Sequence, residues 1–439
     1  MGLKKPIILL LLFATTAAAN PIEAPSEKKT PTQFHEAEYK LGWDIHFSPY
    51  AGGEDLLFVH RSLERAGGYF IENKPVRYTK NGRGVLWRLS DLMAVWLPLN
   101  CLVVTIQHEV FGHGYRIREI GYSKADVTGY EIGVPLPYGE GGGSTSYSYS
   151  NELTTTDETA ISMAGVESTA ILSQLTALHW LEANRIDPRQ SMLYLDARYD
   201  LPLYIGTVKT RGGHDGHDIT GYLQTLNQTY TSHYLSGARL RSLSWINLAD
   251  PLTYYALYSW GRYIGCGKET IIPMIPVGHG YRYLPSVRLG LTPFGPEVFF
   301  DNYLLKGSCP TYFYLKGGGH SDNTYLGIGA YAPSIWKLNK WSFGARFDAW
   351  RQPKLLLQPG RLPISVIDFF QMPDKNNPLY PYSEQHAIRY GAAGSVICSY
   401  KSAGRSGFQG EIGYKAQGFL PGYSLKASPV IRTYYTLVF

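Results

Sequence analysis

The residues best suited to chemistry form one short run, His108-Glu109-Val110-Phe111-Gly112-His113-Gly114. Two imidazoles and a carboxylate within about one and a half helical turns are what a mononuclear zinc site needs. Neutral imidazole nitrogens bind the metal. A carboxylate that stays off the metal takes the proton of an activated water. The common metallopeptidase spacing places the histidines at i and i+4, on one face of a helix. Here the separation is five, which on a regular helix turns the second imidazole away by ~140°. Both reach one metal only if the helix absorbs an extra residue in a π-bulge. Gly112 stands where such a bulge is tolerated.

On His108, Glu109, Gly112, His113 and the following Gly114 the chain resembles the HEXXGH motif of the dipeptidyl-peptidase III family of zinc metallopeptidases. The resemblance covers seven residues and extends to the chemistry, not to that family's domain organisation. It implies Zn2+ on His108 and His113, with Glu109 as general base. It also implies a third ligand, a glutamate on a later helix. Glu167 is the candidate, as the sole acid on an otherwise apolar helical stretch over 160–181. An unpaired carboxylate buried there is costly unless it is paired or bound to metal.

A second cluster, His214-Asp215-Gly216-His217-Asp218, lies in a glycine-bounded loop. If that loop folds over the zinc, His217 or Asp218 is placed to stabilise the oxyanion of an attacked carbonyl. His279, between Gly278 and Gly280, is read as structural. The sequence holds no phosphate-binding glycine loop after a strand, no nucleophile elbow and no CxxC.

The elements expected to position these residues are helical. From about residue 55 to 265 the apolar period is that of a helix. Ser90-Asp91 can cap a helix running to His113 and kinked at Pro98. Thr154 to Asp157 can start another running through Leu178, and Asp250-Pro251 a third reaching Tyr263.

Around this region the period is two. Leu41, Trp43, Ile45 and Phe47 alternate with Gly42, Asp44 and His46. Trp341 to Arg351 alternates likewise, and weaker versions lie at 281–292, 296–306, 311–316, 324–332, 387–400 and 408–418. Ile431, Thr433, Tyr435, Leu437 and Phe439 share one face of a final strand. A strand between lipid and a polar lumen requires such alternation. These last residues resemble the C-terminal signal of outer-membrane barrel proteins, which implies recognition by the barrel assembly machinery. Nine candidate strands result, and a tenth is sought within 352–385 to meet the even-strand rule.

At the other end Lys4 and Lys5, the apolar run 7–13 and Ala17-Ala18-Ala19 read as a secretory signal peptide over 1–19. Beyond it no run of eighteen apolar residues remains, which argues against membrane-spanning helices. The 35 tyrosines and 47 glycines, with 17% charged residues, suit a barrel with aromatic girdles. The net charge of +6 is dispersed, so nucleic acid is not an expected partner.

The expected fold is a transmembrane antiparallel β-barrel of 8–10 strands, with a large α-helical insertion after the first strand. Its parts are a signal peptide (1–19), an N-terminal segment (20–37), a first strand (38–50), the helical insertion with the zinc site (51–270) and the remaining strands (271–439). The expected function is an outer-membrane zinc metallopeptidase acting on a peptide or protein, embedded in the outer-membrane lipid bilayer. The alternative is a non-catalytic channel or structural barrel plugged by its helices.

Overall fold

The computed structural model describes residues 36–71, 80–208, 216–360, 378–402 and 404–438. The signal peptide, His214, Asp215 and Phe439 lie outside them, as does the possible strand over 364–370.

Strand β1 (Glu38–Asp44) is followed by helices α1 (Pro49–Ile71), α2 (Gly82–Asp91), α3 (Leu97–His108) and α4 (Gly114–Ile120). A hairpin of β2 (Ala125–Ile132) and β3 (Gly143–Tyr149) comes next. Then come α5 (Thr155–Ala183), α6 (Pro188–Thr207), α7 (Asp218–Thr229), α8 (Gly237–Ser244) and α9 (Pro251–Cys266). Short β4 (Ile275–Gly278) leads into β5 (Tyr281–Thr292), β6 (Gly295–Lys306), β7 (Cys309–His320), β8 (Asn323–Leu338) and β9 (Trp341–Pro353). After the one-turn α10 (Tyr382–Gln385), β10 (Ile388–Lys401), β11 (Ser406–Lys415) and β12 (Ser428–Val438) complete the chain.

Ten strands form one antiparallel sheet in the order β1-β12-β11-β10-β9-β8-β7-β6-β5-β4. The first strand lies beside the last, with Tyr39 opposite Leu437 and Trp43 opposite Thr433. The tenth strand is β4; residues 354–357 are not a strand. Tight hairpins hold the register. At the β7–β8 turn Ser321 and Asp322 both take positive φ, as a two-residue loop matched to strand twist requires. The sheet curls around the helices, because α5 touches β1 near one edge and β5 and β7 near the other.

The two faces of the sheet invert the usual order of a soluble protein. Leu41, Phe300, Leu315, Phe347, Val396, Phe408, Ile412 and Ile431 point outward and are exposed. The inner face buries charge instead: Arg432 pairs with Glu411 at 3.1 Å, Arg288 with Asp301 at 2.9 Å and Lys316 with Glu297 at 3.2 Å. Such burial is tolerable only because each charge is paired. The helices join this polar layer. Arg198 of α6 donates to Ser286 Oγ and the Val287 carbonyl on β5, and the Tyr50 ring of α1 lies against Arg346 and Arg432.

Local signals explain most helix limits. The Thr154 side chain and Asp157 form a capping box at the start of α5, and Asn184 ends it in the left-handed conformation. Asp250 caps α9 with Pro251 in the first turn. The helix expected from Ser90-Asp91 starts earlier, at Gly82, where Asn81 accepts from Gly84 N. Ser90 and Asp91 are interior to it. Gly82–Ile120 runs as one continuous helix, by length and composition alone long and apolar enough to cross a membrane. Asp91, Pro98 and Asn100 interrupt its apolar run and hide that property from a search for unbroken apolar stretches.

Candidate metal centre

The continuous helix contains two π-turns, Leu92–Trp96 and Glu109–His113. The second is the bulge that the five-residue histidine spacing demands. It gives both imidazoles one direction, their ring centroids 4.9 Å apart. The bulge sits tightly against α5. A Cβ on Gly112 would stand 2.7 Å from Gly165 Cα, and a Cβ on Gly165 would stand 2.1 Å from His108 Nε2. Two glycines facing each other are therefore what lets the bulged turn approach α5.

Each imidazole is oriented from behind. His113 Nδ1 lies 2.7 Å from the Ile161 carbonyl, which can only accept, so Nδ1 carries the hydrogen. His108 Nδ1 lies 2.8 Å from Asp200 Oδ2, which also accepts from Thr169 Oγ1 at 2.8 Å. With both Nδ1 atoms donating, both Nε2 atoms face forward. They meet the same atom: Asp218 Oδ2 is 2.9 Å from His108 Nε2 and 3.3 Å from His113 Nε2. The three ligand atoms lie within 4.8 Å of one another. Burial favours the neutral form of Asp218, but His113 and His108 more than offset it and hold the carboxyl well below its usual range. Burial disfavours protonated rings, but the carboxylates of Asp200 and Asp218 outweigh it for His108, and that of Asp218 for His113, and raise the pKa of both imidazoles. Either a proton on each ring or one shared cation therefore satisfies the three converging atoms. Two imidazole nitrogens and one carboxylate oxygen, each ring held from behind by an acceptor, could hold a zinc ion and leave a fourth position open.

Glu109 is buried and stands apart from this triad. Thr145 Oγ1 of β3 donates to its Oε2 at 2.7 Å and to its carbonyl at 3.2 Å. Gly143 lets the hairpin come close, since a Cβ there would meet Glu109 Cγ at 2.9 Å.

The third-ligand assignment needs correction. Glu167 is not in the triad. Arg116 Nη2 holds both its oxygens, at 2.7 and 2.8 Å, and the Gly422 amide donates to Oε1. The buried acid is paired, but by an arginine rather than a metal. Asp218, expected as a substrate contact, is the carboxylate that stands with the two imidazoles. His217 does not join it: its Nε2 is 2.9 Å from Thr207 Oγ1, and its ring packs edge-on against Tyr204. Tyr204 in turn stacks on His108, with centroids 5.1 Å apart. His279 sits in the β4–β5 turn at positive φ, away from the triad. Asp200 and Thr145 escaped the sequence reading. Asp200 follows Asp196 at i+4 on a mainly apolar helix, a signal that could have singled it out.

Comparison with known protein families, curated proteins and solved structures returns no match.

Proposed function

We propose that the chain is a zinc-dependent metallopeptidase of the outer membrane, with His108, His113 and Asp218 as ligands and Glu109 as general base. The observation that carries this reading is the convergence of two imidazole Nε2 atoms on one carboxylate oxygen, each ring held from behind through Nδ1. Zinc, when bound, supplies Lewis acidity that polarises a carbonyl and makes water a usable nucleophile near neutral pH. Glu109 accepts a proton from the attacking water. As the peptide C–N bond breaks, it returns that proton to the leaving amine. Thr145 fixes the carboxylate for this role by donating to Oε2.

The membrane part of the reading rests on the inverted sheet. An outward face of Phe, Leu, Ile and Val over a paired, charged interior suits hydrocarbon outside and a polar lumen inside. The curled sheet and the pairing of β1 with β12 support a barrel-like wall, with α5 packed against its inner face.

The test compares wild type with Glu109→Gln on a mixed peptide library in detergent, with and without a chelator. The expected result is chelator-sensitive cleavage by wild type and a ~10²–10⁴-fold loss in the variant, with zinc retained. Equal activity in both proteins, or none in wild type, would favour the plugged, non-catalytic barrel. The ion pairs that tie helices to the sheet, Lys40 with Glu54 at 3.3 Å and Arg198 with Asp301 at 3.9 Å, are the feature that suits that second reading.

A further inference from the structure

The ten strands do not account for the whole wall. Among the described residues the sheet edges β1 and β4 do not pair with each other. Helices occupy the space between them in lateral order. Beside β1 lies α1, whose Asp55 accepts from Gly42 N at 2.7 Å and whose Glu54 pairs with Lys40 at 3.3 Å. Next to α1 lies the long helix, joined through His60 and Asn100 at 2.8 Å. Beyond it stands α9: Leu92 and Trp96 pack on Trp260 and Tyr263, and Arg88 donates to the Ile264 and Gly265 carbonyls. At its start α9 returns to the sheet, where Asp250 accepts from Ser286 of β5 at 2.8 Å.

The outer face of this helical layer is apolar and uncovered. Val59 and Leu63 of α1, Leu86 and Val95 of the long helix, and Tyr254 and Tyr258 of α9 are each between 46% and 64% exposed. Only 28% of the most apolar stretch of the long helix is buried, where a core helix would be mostly buried. Three of its polar side chains turn inward, Arg88 to α9, Asp91 to the Trp96 indole and Asn100 to the Arg189 carbonyl, while Arg83 and Ser90 stay exposed. Residues 82–102 would span about 31 Å as a helix, matching a hydrocarbon core of about 30 Å. Near the C-terminal end of α9, Tyr255, Tyr258, Arg262 and Lys268, with Glu269 that pairs with Arg185, line an open pocket of about 530 Å³. Tyrosine with cationic side chains is the combination found where hydrocarbon gives way to phosphate.

We propose that this helical face is a lipid-contacting seam: bilayer hydrocarbon covers it, and α1, the long helix and α9 complete the wall that the strands leave open. Its continuity with the outward face of β1, where Leu41 and Trp43 are exposed, selects lipid over another occupant. The proposal rests on the membrane reading of the sheet.

The test places single nitroxide labels at Leu86→Cys, Val95→Cys and, on the sheet, Ile412→Cys. The full chain carries serine at its four natural cysteines and is reconstituted in phosphatidylethanolamine–phosphatidylglycerol vesicles. Collision with oxygen, which partitions into hydrocarbon, is compared with collision with a water-soluble nickel chelate. The expected result is an oxygen preference at all three sites, several-fold above that of a label in water. Nickel preference at Leu86 and Val95 with oxygen preference at Ile412 would overturn the seam and leave the sheet reading intact. Nickel preference at Ile412 would remove both. Protection from both reagents at Leu86 and Val95 would mean that protein covers the face, which also overturns the proposal. If the cysteine-free chain fails to fold, a benzophenone side chain at Leu86 in the otherwise natural chain gives an equivalent readout. Crosslinking to labelled lipid supports the seam, and its absence there, with crosslinking at Ile412, refutes it.

Discussion

One helix carries two π-turns, and they do different work. At the first, Leu92–Trp96, the widened turn precedes Pro98, which has no N–H to give to the Ala94 carbonyl. Tyr138 from the β2–β3 connection supplies the missing donor, at 2.6 Å. The side chains of this turn pack on Trp260 and Tyr263 of α9, and the Trp96 ring lies against His60 and Arg189. At the second, Glu109–His113, a residue of the β2–β3 hairpin again donates to a helix carbonyl, Thr145 to Glu109. Here the result is a convergence of imidazoles. The difference lies opposite the turn: Gly165 yields room for His108, Ile161 and Asp200 orient the rings, and α7 brings Asp218. A bulge can align two side chains, but its neighbours decide whether they become a site.

Gly165→Ala should break the second turn most severely. The new methyl group would overlap the His108 ring, so α5 or the ring must move. We expect zinc affinity to fall by more than the ~10–100-fold that an outer-shell partner is worth. Zinc titration of the purified variant checks this, and near-normal affinity would mean that the glycine contact is incidental. Asp200→Ala should cost about that ~10–100-fold, because His108 keeps its place but loses the acceptor that fixes its tautomer. Tyr138→Phe is the matched perturbation of the first turn. It leaves one carbonyl without its donor at an exposed position, so stability should drop by no more than ~0.5–1.5 kcal/mol. Zinc binding should be unchanged. A loss of zinc in Tyr138→Phe would show that the two turns are coupled and would undo the contrast between them.

These two turns also mark what was legible in the chain. The spacing of His108 and His113, with Gly112 between them, was enough to require a π-bulge, because helical geometry admits no other way to align them. Long strands declared themselves through alternation, and nine of the ten could be found so. The tenth, Ile275–Gly278, is only four residues with a proline inside, too short for a period to appear. The β2–β3 hairpin was missed because it is rich in Ser, Gly and Tyr and has no consistently apolar face. That Glu167 stands with Arg116 and not with the imidazoles stayed hidden for a different reason. A lone acid on an apolar helix must have a partner, but the sequence does not say which. Arg116, 51 residues away, was as good an answer as a metal. Asp218 sat in a polar loop, where nothing local distinguished a ligand from a solvated carboxylate.

Asp218 and Glu167 are thus the two carboxylates to tell apart. The most direct measurement is the zinc content of wild type, Asp218→Ala and Glu167→Gln, each purified without chelators and assayed by plasma mass spectrometry on folded protein. With Asp218 as the ligand, about one zinc per chain is expected in wild type and in Glu167→Gln, where Arg116 keeps Glu119 at 2.9 Å and only stability suffers. Little or none is expected in Asp218→Ala. Full occupancy in Asp218→Ala together with loss in Glu167→Gln would contradict that assignment.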